Sequence, residues 1–516
     1  MSFSRRQFLR GTSSGLGLLA ASSALPRWLV GEAQAATLNG YAGYRAIVSV
    51  FLLGGNDANN ILVPLGATPY AHYRAARPNI GIPQADLLPI SPTGLGTNSY
   101  GLHPALKKVQ ALFGQQRAAL VCNVGSLVVP LRKPDYGSGA TPLPDNLYSH
   151  SDQQDAWASA IANPATAPVP FELVGKATGW GGRTADKLQG LNPSRPRYPD
   201  VVSFGGKPLF AAGAVRQPMM VSSSGTLAFR QTSDANFNAL QTEALSQVMT
   251  HTHGVTLEAS YGGIFTQAQT FATSRAAARD AAWAALPVAT QTAIDALFVP
   301  PAGATNWTLL TQLYQVLRDI LAGATATGQG GLGLRRQAFS VGLGGFDTHV
   351  GQLPMQNSLL TQLDFALDAF YQALDVLRSS GVFGATPPQA TLFTMSDFSR
   401  TMVENSDRGT DHAWGGHAIV IGDRVQGGRF YGTYPNLDLS ANGVNNLDTT
   451  DSRGRWIPTL SVDQYAYSLA YWLGLSTAAE REYVFPNLAG YITAATAGGF
   501  PSSARNNRVG FMLADT

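Results

Sequence analysis

The chain reads as an α/β protein with a mainly parallel central sheet covered by helices, and three observations predict it. Five short apolar runs end in Gly, Asp or Asn; a long amphipathic stretch separates two of them; and chemically capable polar residues follow the runs at their carboxyl ends. Strand, helix, strand in that order is a βαβ unit, whose strands lie parallel and whose ligands bind beyond the strands' carboxyl ends.

In chain order the runs are "RAIVSVFLLGGND" (Arg45 to Asp57), "AALVCNVGS" (Ala118 to Ser126), "AFSVGLGGFDTH" (Ala338 to His349), "ATLFTMSDF" (Ala390 to Phe398) and "HAIVIGD" (His417 to Asp423). Each has the length and β-branched or apolar content of a buried strand. Between the third and fourth, Leu360, Leu363, Leu367, Phe370, Leu374 and Leu377 recur at helical spacing, predicting an amphipathic helix that ends near Gly381. The Ala-rich "FATSRAAARDAAWAALPVATQTAIDALF" predicts more helix, read as an insertion or cap within about 200–335.

At 516 residues the chain can bury a large core, and 45% hydrophobic content is that of a globular protein. Only 13% of residues are charged, and 55 glycines with 30 prolines imply many loops, where function concentrates. A net charge of +3 without any long Lys/Arg block gives no electrostatic footprint for nucleic acid. Cys122 is the sole cysteine, so no intrachain disulfide can form; inside "AALVCNVG" it reads as an inert core thiol.

The first 35 residues read as an address. "SRRQFLR" (Ser4 to Arg10), the mildly apolar "GLGLLAASSALP" and "AQA" at Ala33 to Ala35 resemble a twin-arginine signal peptide. The expected organisation is therefore a leader over 1–35 and one domain over 36–516, carried by the twin-arginine translocase to the periplasm or beyond. No later stretch reaches about 18 clean apolar residues, so no stable membrane insertion of the mature chain is expected.

A hydrolytic metal site needs carboxylates and imidazoles converging from separate elements, because one short loop seldom supplies every ligand. Asp57, Asp347, His349, Asp397, Asp411, His412 and His417 form the candidate set. In "GFDTH", Asp347 and His349 stand two apart, which in extended backbone sends both side chains to one side. "GTDHAWGGH" packs Asp411, His412 and His417 into nine residues. For a nucleophile, "LYSHSDQQDAW" offers Ser149 and Ser151 where a helix begins; their plainer role is capping, yet free N–H groups at a helix start also suit an anionic intermediate. Arg183 in "GWGGR" and Arg400 in "SDFSRT" are candidate clamps for an anionic substrate, although a lone arginine is as readily structural. His251 and His253 in "MTHTHG" read as loop decoration.

Together the twin-arginine start, "FLLGGNDANNILVP", "SHSDQQDAW", "GFDTH", "SDFSRT" and "GTDHAWGGH" resemble the exported bacterial family of domain of unknown function 1501, itself similar to the alkaline phosphatase and sulfatase superfamily. That resemblance implies an alkaline-phosphatase-like three-layer sandwich holding one or two divalent ions per chain, zinc or else magnesium, manganese or calcium. It implies a small anionic ester as substrate. Asp57 matches the superfamily's first-strand ligand, Ser149 the nucleophile with Ser151 behind it, and Asp347 with His349 the middle pair, spaced more tightly here than usual. The last ligands align in two ways: Asp411 and His412 as an Asp-His dipeptide with His417 last, or Asp397 as the dipeptide's Asp, Phe398 in place of its His, and His412 last. The sulfatase signature Cys/Ser-x-Pro-x-Arg fails at Cys122, Ser149 and Ser151, which leaves phosphate and related esters as the implied substrates. The alternative is a catalytically degenerate member of the fold acting as an envelope binding or interaction protein. "GGND" is no nucleophile elbow, which disfavours a metal-independent serine hydrolase.

Overall fold

The structure is a computed structural model that describes residues 42–514 apart from 98, 193–199, 206–207, 216–217, 223–233, 251–255 and 305–306. The leader, His251 and His253 lie outside the described residues. Twelve strands are present among them: β1 (Arg45–Leu53), β2 (Leu62–Pro64), β3 (Leu88–Ile90), β4 (Tyr100–Leu102), β5 (Ala118–Gly125), β6 (Val201–Ser203), β7 (Met219–Met220), β8 (Arg336–Gly344), β9 (Gln389–Ser396), β10 (Gly416–Gly422), β11 (Phe430–Gly432) and β12 (Leu460–Ser461). The five apolar runs of the sequence are β1, β5, β8, β9 and β10.

All five enter one nine-stranded sheet in the order β11-β5-β10-β9-β1-β8-β6-β7, with β12 beside β5. β1 lies parallel to both β8 and β9, and β6 continues the parallel run. β10 runs antiparallel to β5 and β9, so the sheet is largely rather than wholly parallel. A separate three-stranded antiparallel sheet has the order β2-β4-β3.

Side chains alternate across a strand, so a strand covered on both faces feeds two cores. In β1, Ala46, Val48, Val50 and Leu52 enter one core while Ile47 and Phe51 enter the other. Helices α1 (Lys107–Gly114), α2 (His150–Ser159), α3 (Trp180–Leu188), α4 (Thr308–Ala324), α5 (Gln352–Ser379) and α6 (Val462–Leu473) supply the covering layers. The first core takes Leu313 and Val316 from α4 and all six helically spaced residues from Leu360 to Leu377 of α5; the second takes Trp157 of α2, Trp180 of α3 and Tyr465 of α6. The result is an α/β sandwich with helices on both faces of the sheet. Between β7 and β8 the chain runs through helices Ala235–Thr250, Thr256–Ala284, Val288–Leu297 and α4. No described helix is long and apolar enough to cross a membrane.

Register decides where chemistry can gather. Leu53 pairs with Gly344, and Leu52 with both Leu343 and Ser396, so β1, β8 and β9 end side by side. The segments leaving them carry Gly54 to Asp57, Gly345 to His349 and Asp397 to Arg400.

Candidate metal centre

Gly54 has φ +112°, a conformation that side chains rarely adopt, and a Cβ there would lie 2.5 Å from the Asp347 backbone nitrogen. Without that atom the ends of β1 and β8 close on each other. Asp347 then turns outward, its side chain 49% exposed, while Arg400 Nη2 donates to its Oδ1 at 2.5 Å from full burial beneath it. Gly409 does the same for the neighbouring loop, since a Cβ would meet the His349 carbonyl at 2.1 Å. "GTDHAW" folds back antiparallel on "SDFSRT", with Thr401 N–H donating to Asp411 O at 2.9 Å and Ala413 N–H to Ser399 O at 2.9 Å. That pairing carries His412 to Asp347.

Three imidazoles meet at this carboxylate. His349 Nε2 lies 3.0 Å from Asp347 Oδ1, His412 Nε2 3.5 Å from the same oxygen, and His150 Nε2 3.5 Å from Oδ2. One ligand atom each from His150, Asp347 and His412 lie within 4.8 Å of one another. His349 adjoins two of the three, its Nε2 standing 3.0 Å from His412 Nε2.

Each ring is fixed through its other nitrogen. His412 Nδ1 donates to the Tyr148 carbonyl at 2.8 Å; a carbonyl only accepts, so the proton is on Nδ1. His150 Nδ1 meets Asp397 Oδ2 at 2.6 Å, and His349 Nδ1 meets Asp411 Oδ1 at 3.1 Å. With Nδ1 donating to a carboxylate or carbonyl, Nε2 presents a lone pair, the arrangement by which proteins orient metal-binding histidines. Buried His150 Nε2 has no hydrogen-bond partner. His349 and His412 direct two such nitrogens at each other. Facing lone pairs repel unless a proton or a cation lies between them, so the donor set fits a divalent ion.

The electrostatics agree. Burial lowers the His412 pKa and favours the neutral ring; the bond to Tyr148 opposes that shift, and the charges of Arg400, His150 and His349 add to it. Partial burial pushes the Asp347 carboxyl up, but the Arg400 hydrogen bond and charge, with His150 and His349, hold it below the usual carboxylate range. For Asp411 burial is likewise outweighed, by Asn405, His349 and Arg453. Phe398 closes one side of the cluster, its ring 4.9 Å from that of His150 and 4.6 Å from that of His412.

The candidates therefore separate into groups. Asp347, His349 and His412 come together, as "GFDTH" and "GTDHAW" suggest. Asp397 and Asp411 stand one layer behind, holding His150 and His349 respectively; Asp397 also accepts from Gln154 Nε2 at 2.9 Å and Gly54 N at 3.1 Å. Neither alignment of the last ligands describes this arrangement. Asp57 is turned away: it caps the short helix Ala58–Ile61, and buried Arg77 binds both its oxygens at 2.5 and 2.9 Å while Gln352 donates as well. His417 is buried in β10, its Nδ1 accepting from Asn123 N–H at 3.1 Å and its ring 5.0 Å from that of Tyr434.

Both arginine clamps prove to be internal. Arg183 is fully buried and donates to the Thr178, Ser159 and Val484 carbonyls. Arg400 is also fully buried, donating to the Gly54, Gly55 and Thr410 carbonyls and, through Nη1, toward His349 Nε2 at 3.3 Å. Half-buried Ser149 donates to Asp152 Oδ2 at 2.5 Å and lies 3.1 Å from the Ser151 hydroxyl, so neither serine is hydrogen-bonded to the cluster. The residue that sequence reasoning passed over is His150, between those two serines. Its available signal was position, at the start of a helix whose Ser-x-x-Asp and Ser-x-x-Gln patterns drew attention to the hydroxyls instead.

The family described as protein of unknown function, DUF1501, matches residues 44–451, a span that includes His150, Asp347, His349 and His412 with Asp397 and Asp411 behind them. The chain belongs to the DUF1501 family. No curated protein and no solved structure matches this DUF1501 chain.

Proposed function

We propose that this DUF1501 chain is an exported, metal-dependent hydrolase of phosphate or related esters. One observation carries the metal part of the reading: three histidine Nε2 atoms converge on Asp347, each with its Nδ1 tied to an acceptor. A cation held by these four side chains would act as a Lewis acid, polarising an ester oxygen of the substrate. An imidazole-rich set suits zinc or a similar first-row ion better than magnesium or calcium, which prefer oxygen. Likeness of the sequence motifs to alkaline phosphatases and sulfatases supports ester hydrolysis, and the twin-arginine start supports export.

Ser149 Oγ is the proposed nucleophile. It is one residue from His150, and its proton already points at Asp152 Oδ2. The hydrogen bond from Ser149 is the first cause holding the Asp152 carboxyl below its usual range, so Asp152 stays ionised and orients the hydroxyl, while a bound cation would lower the serine's own pKa. Asp397, Asp411 and the Tyr148 carbonyl hold the imidazoles in their working tautomer.

The test pairs elemental analysis of the purified protein with hydrolysis of an aryl phosphate. The wild type is expected to hold divalent metal and turn over; Ser149→Ala keeps the metal and loses turnover; His412→Ala loses both. A protein that no divalent ion can load overturns the proposal. A second reading, a catalytically inactive binding protein, is favoured by the commitment of Arg183, Arg400 and Ser149 to protein partners. Bound metal without turnover of phosphate, sulfate or phosphonate esters selects it.

A further inference from the structure

We propose that the centre takes a single divalent ion per chain and that Arg400 supplies the second positive charge over the same carboxylate; this rests on the metal reading above. Three observations support it.

The first is the guanidinium itself. Arg400 is fully buried, and its Nε donates to the Gly55 carbonyl at 2.8 Å and its Nη1 to the Thr410 carbonyl at 3.2 Å, so it is pinned from below. Nη2 reaches Asp347 Oδ1 at 2.5 Å, and Nη1 stands 3.3 Å from His349 Nε2. A fixed cation thus occupies one side of the central carboxylate, where a second metal ion would need the same oxygen and would be repelled by the resident charge.

The second is the state of the other acids. A second ion needs carboxylates of its own, and none nearby is unclaimed: Asp57 is neutralised by Arg77, Asp397 accepts three donors, and Asp411 accepts from His349 and Asn405 and pairs with Arg453. The third is the count. Among the described residues, one group of three or more His, Cys, Asp or Glu side chains brings its ligand atoms within coordinating range.

Arg400 is fully buried, so it is a positioning residue acting through Asp347 and His349. It fixes the rotamer of the carboxylate and tempers its attraction for a cation. One Asp charge against one Arg and one divalent ion leaves a net positive centre, which suits an anionic ester.

The experiment is a metal titration of the demetallated full-length protein with Zn²⁺ and with Co²⁺, read by calorimetry and by the visible absorption of bound cobalt. Saturation at one ion per chain supports the proposal. Two ions overturn it while leaving the metal reading intact, and no binding overturns both. The stoichiometry is measured on the wild type, so it holds whether or not a variant folds. In Arg400→Gln, loss of the adjacent positive charge should tighten binding of the first ion by about ten-fold or more, with Arg400→Lys close to wild type. A folded Arg400→Gln protein that binds the ion no more tightly than wild type shows a scaffold role only, and overturns the charge argument.

Discussion

Asp397→Asn is the sharpest perturbation of the centre, because it changes no volume and touches no proposed ligand atom. The Asp397 carboxylate is fully buried and receives three donors on two oxygens: Gly54 N on Oδ1, and His150 Nδ1 with Gln154 Nε2 on Oδ2. Asparagine offers one oxygen and adds an amino group that only donates. With the oxygen toward His150, the amino group confronts the Gly54 N–H, and leaving that buried donor unsatisfied costs about 1–3 kcal/mol of stability. With the oxygen toward Gly54, the amino group confronts His150, which must move its proton to Nε2 and so lose the atom facing Asp347. Neither orientation spares both. Supports of this kind are worth about 10- to 100-fold in metal affinity, or roughly 1.4–2.7 kcal/mol. Competition against a chelator reads the affinity, and denaturant unfolding of the metal-free protein reads the stability. A variant matching wild type in both would refute the claim that Asp397 sets the His150 tautomer.

Three further outcomes follow from other residues. Asp57→Ala strands the Arg77 charge in the core and should cost about 3–5 kcal/mol, with metal stoichiometry unchanged wherever the variant folds; loss of metal from a folded Asp57→Ala protein would return Asp57 to the ligand set. Burial lowers the His417 pKa to about 4, against weaker opposing effects of Gly416 and Asp57. Its unfolded value is about 6.5, so between those limits the unfolded chain binds one more proton and stability falls as pH falls; His417→Asn should reduce that slope by about 1.4 kcal/mol per pH unit, measured by urea unfolding at several pH values. Gly54→Ala forces an L side chain into positive φ against Asp347 and should lose about 1–3 kcal/mol together with metal affinity; a crystal structure with Asp347 undisplaced and normal affinity would contradict it.

Much of the frame was legible because burial on both faces of a sheet leaves a dense apolar signature. β1 and β5 fall within the runs read from the sequence, β8, β9 and β10 overlap theirs but start one or two residues earlier, and the stripe from Leu360 to Leu377 is the buried face of α5. The antiparallel setting of β10 was not legible, since strand direction depends on partners that composition does not name. In the site, the same limit acts on carboxylates. Asp57, Asp347 and Asp397 all follow strands in the sheet, yet one faces outward, one is paired with an arginine and one supports a histidine; only the donors opposite each distinguishes them. His150 has Asp152 two residues on, the spacing of "GFDTH", but the flanking serines gave that stretch a capping reading, and its partner Asp397 is distant in the chain.

The convergence of His150, Asp347, His349 and His412 also has a mechanical meaning. These residues belong to segments that start roughly 260 residues apart and end on opposite sides of the long helical stretch before β8, so an ion joining them would act as a clasp on a very large loop. Such a clasp cannot be fastened on an open chain, where its halves are rarely near each other. It can only be closed on a finished fold, and once closed it makes the separation of α2 from the strand ends a ligand-dissociation event. Resistance to unfolding should therefore track metal occupancy.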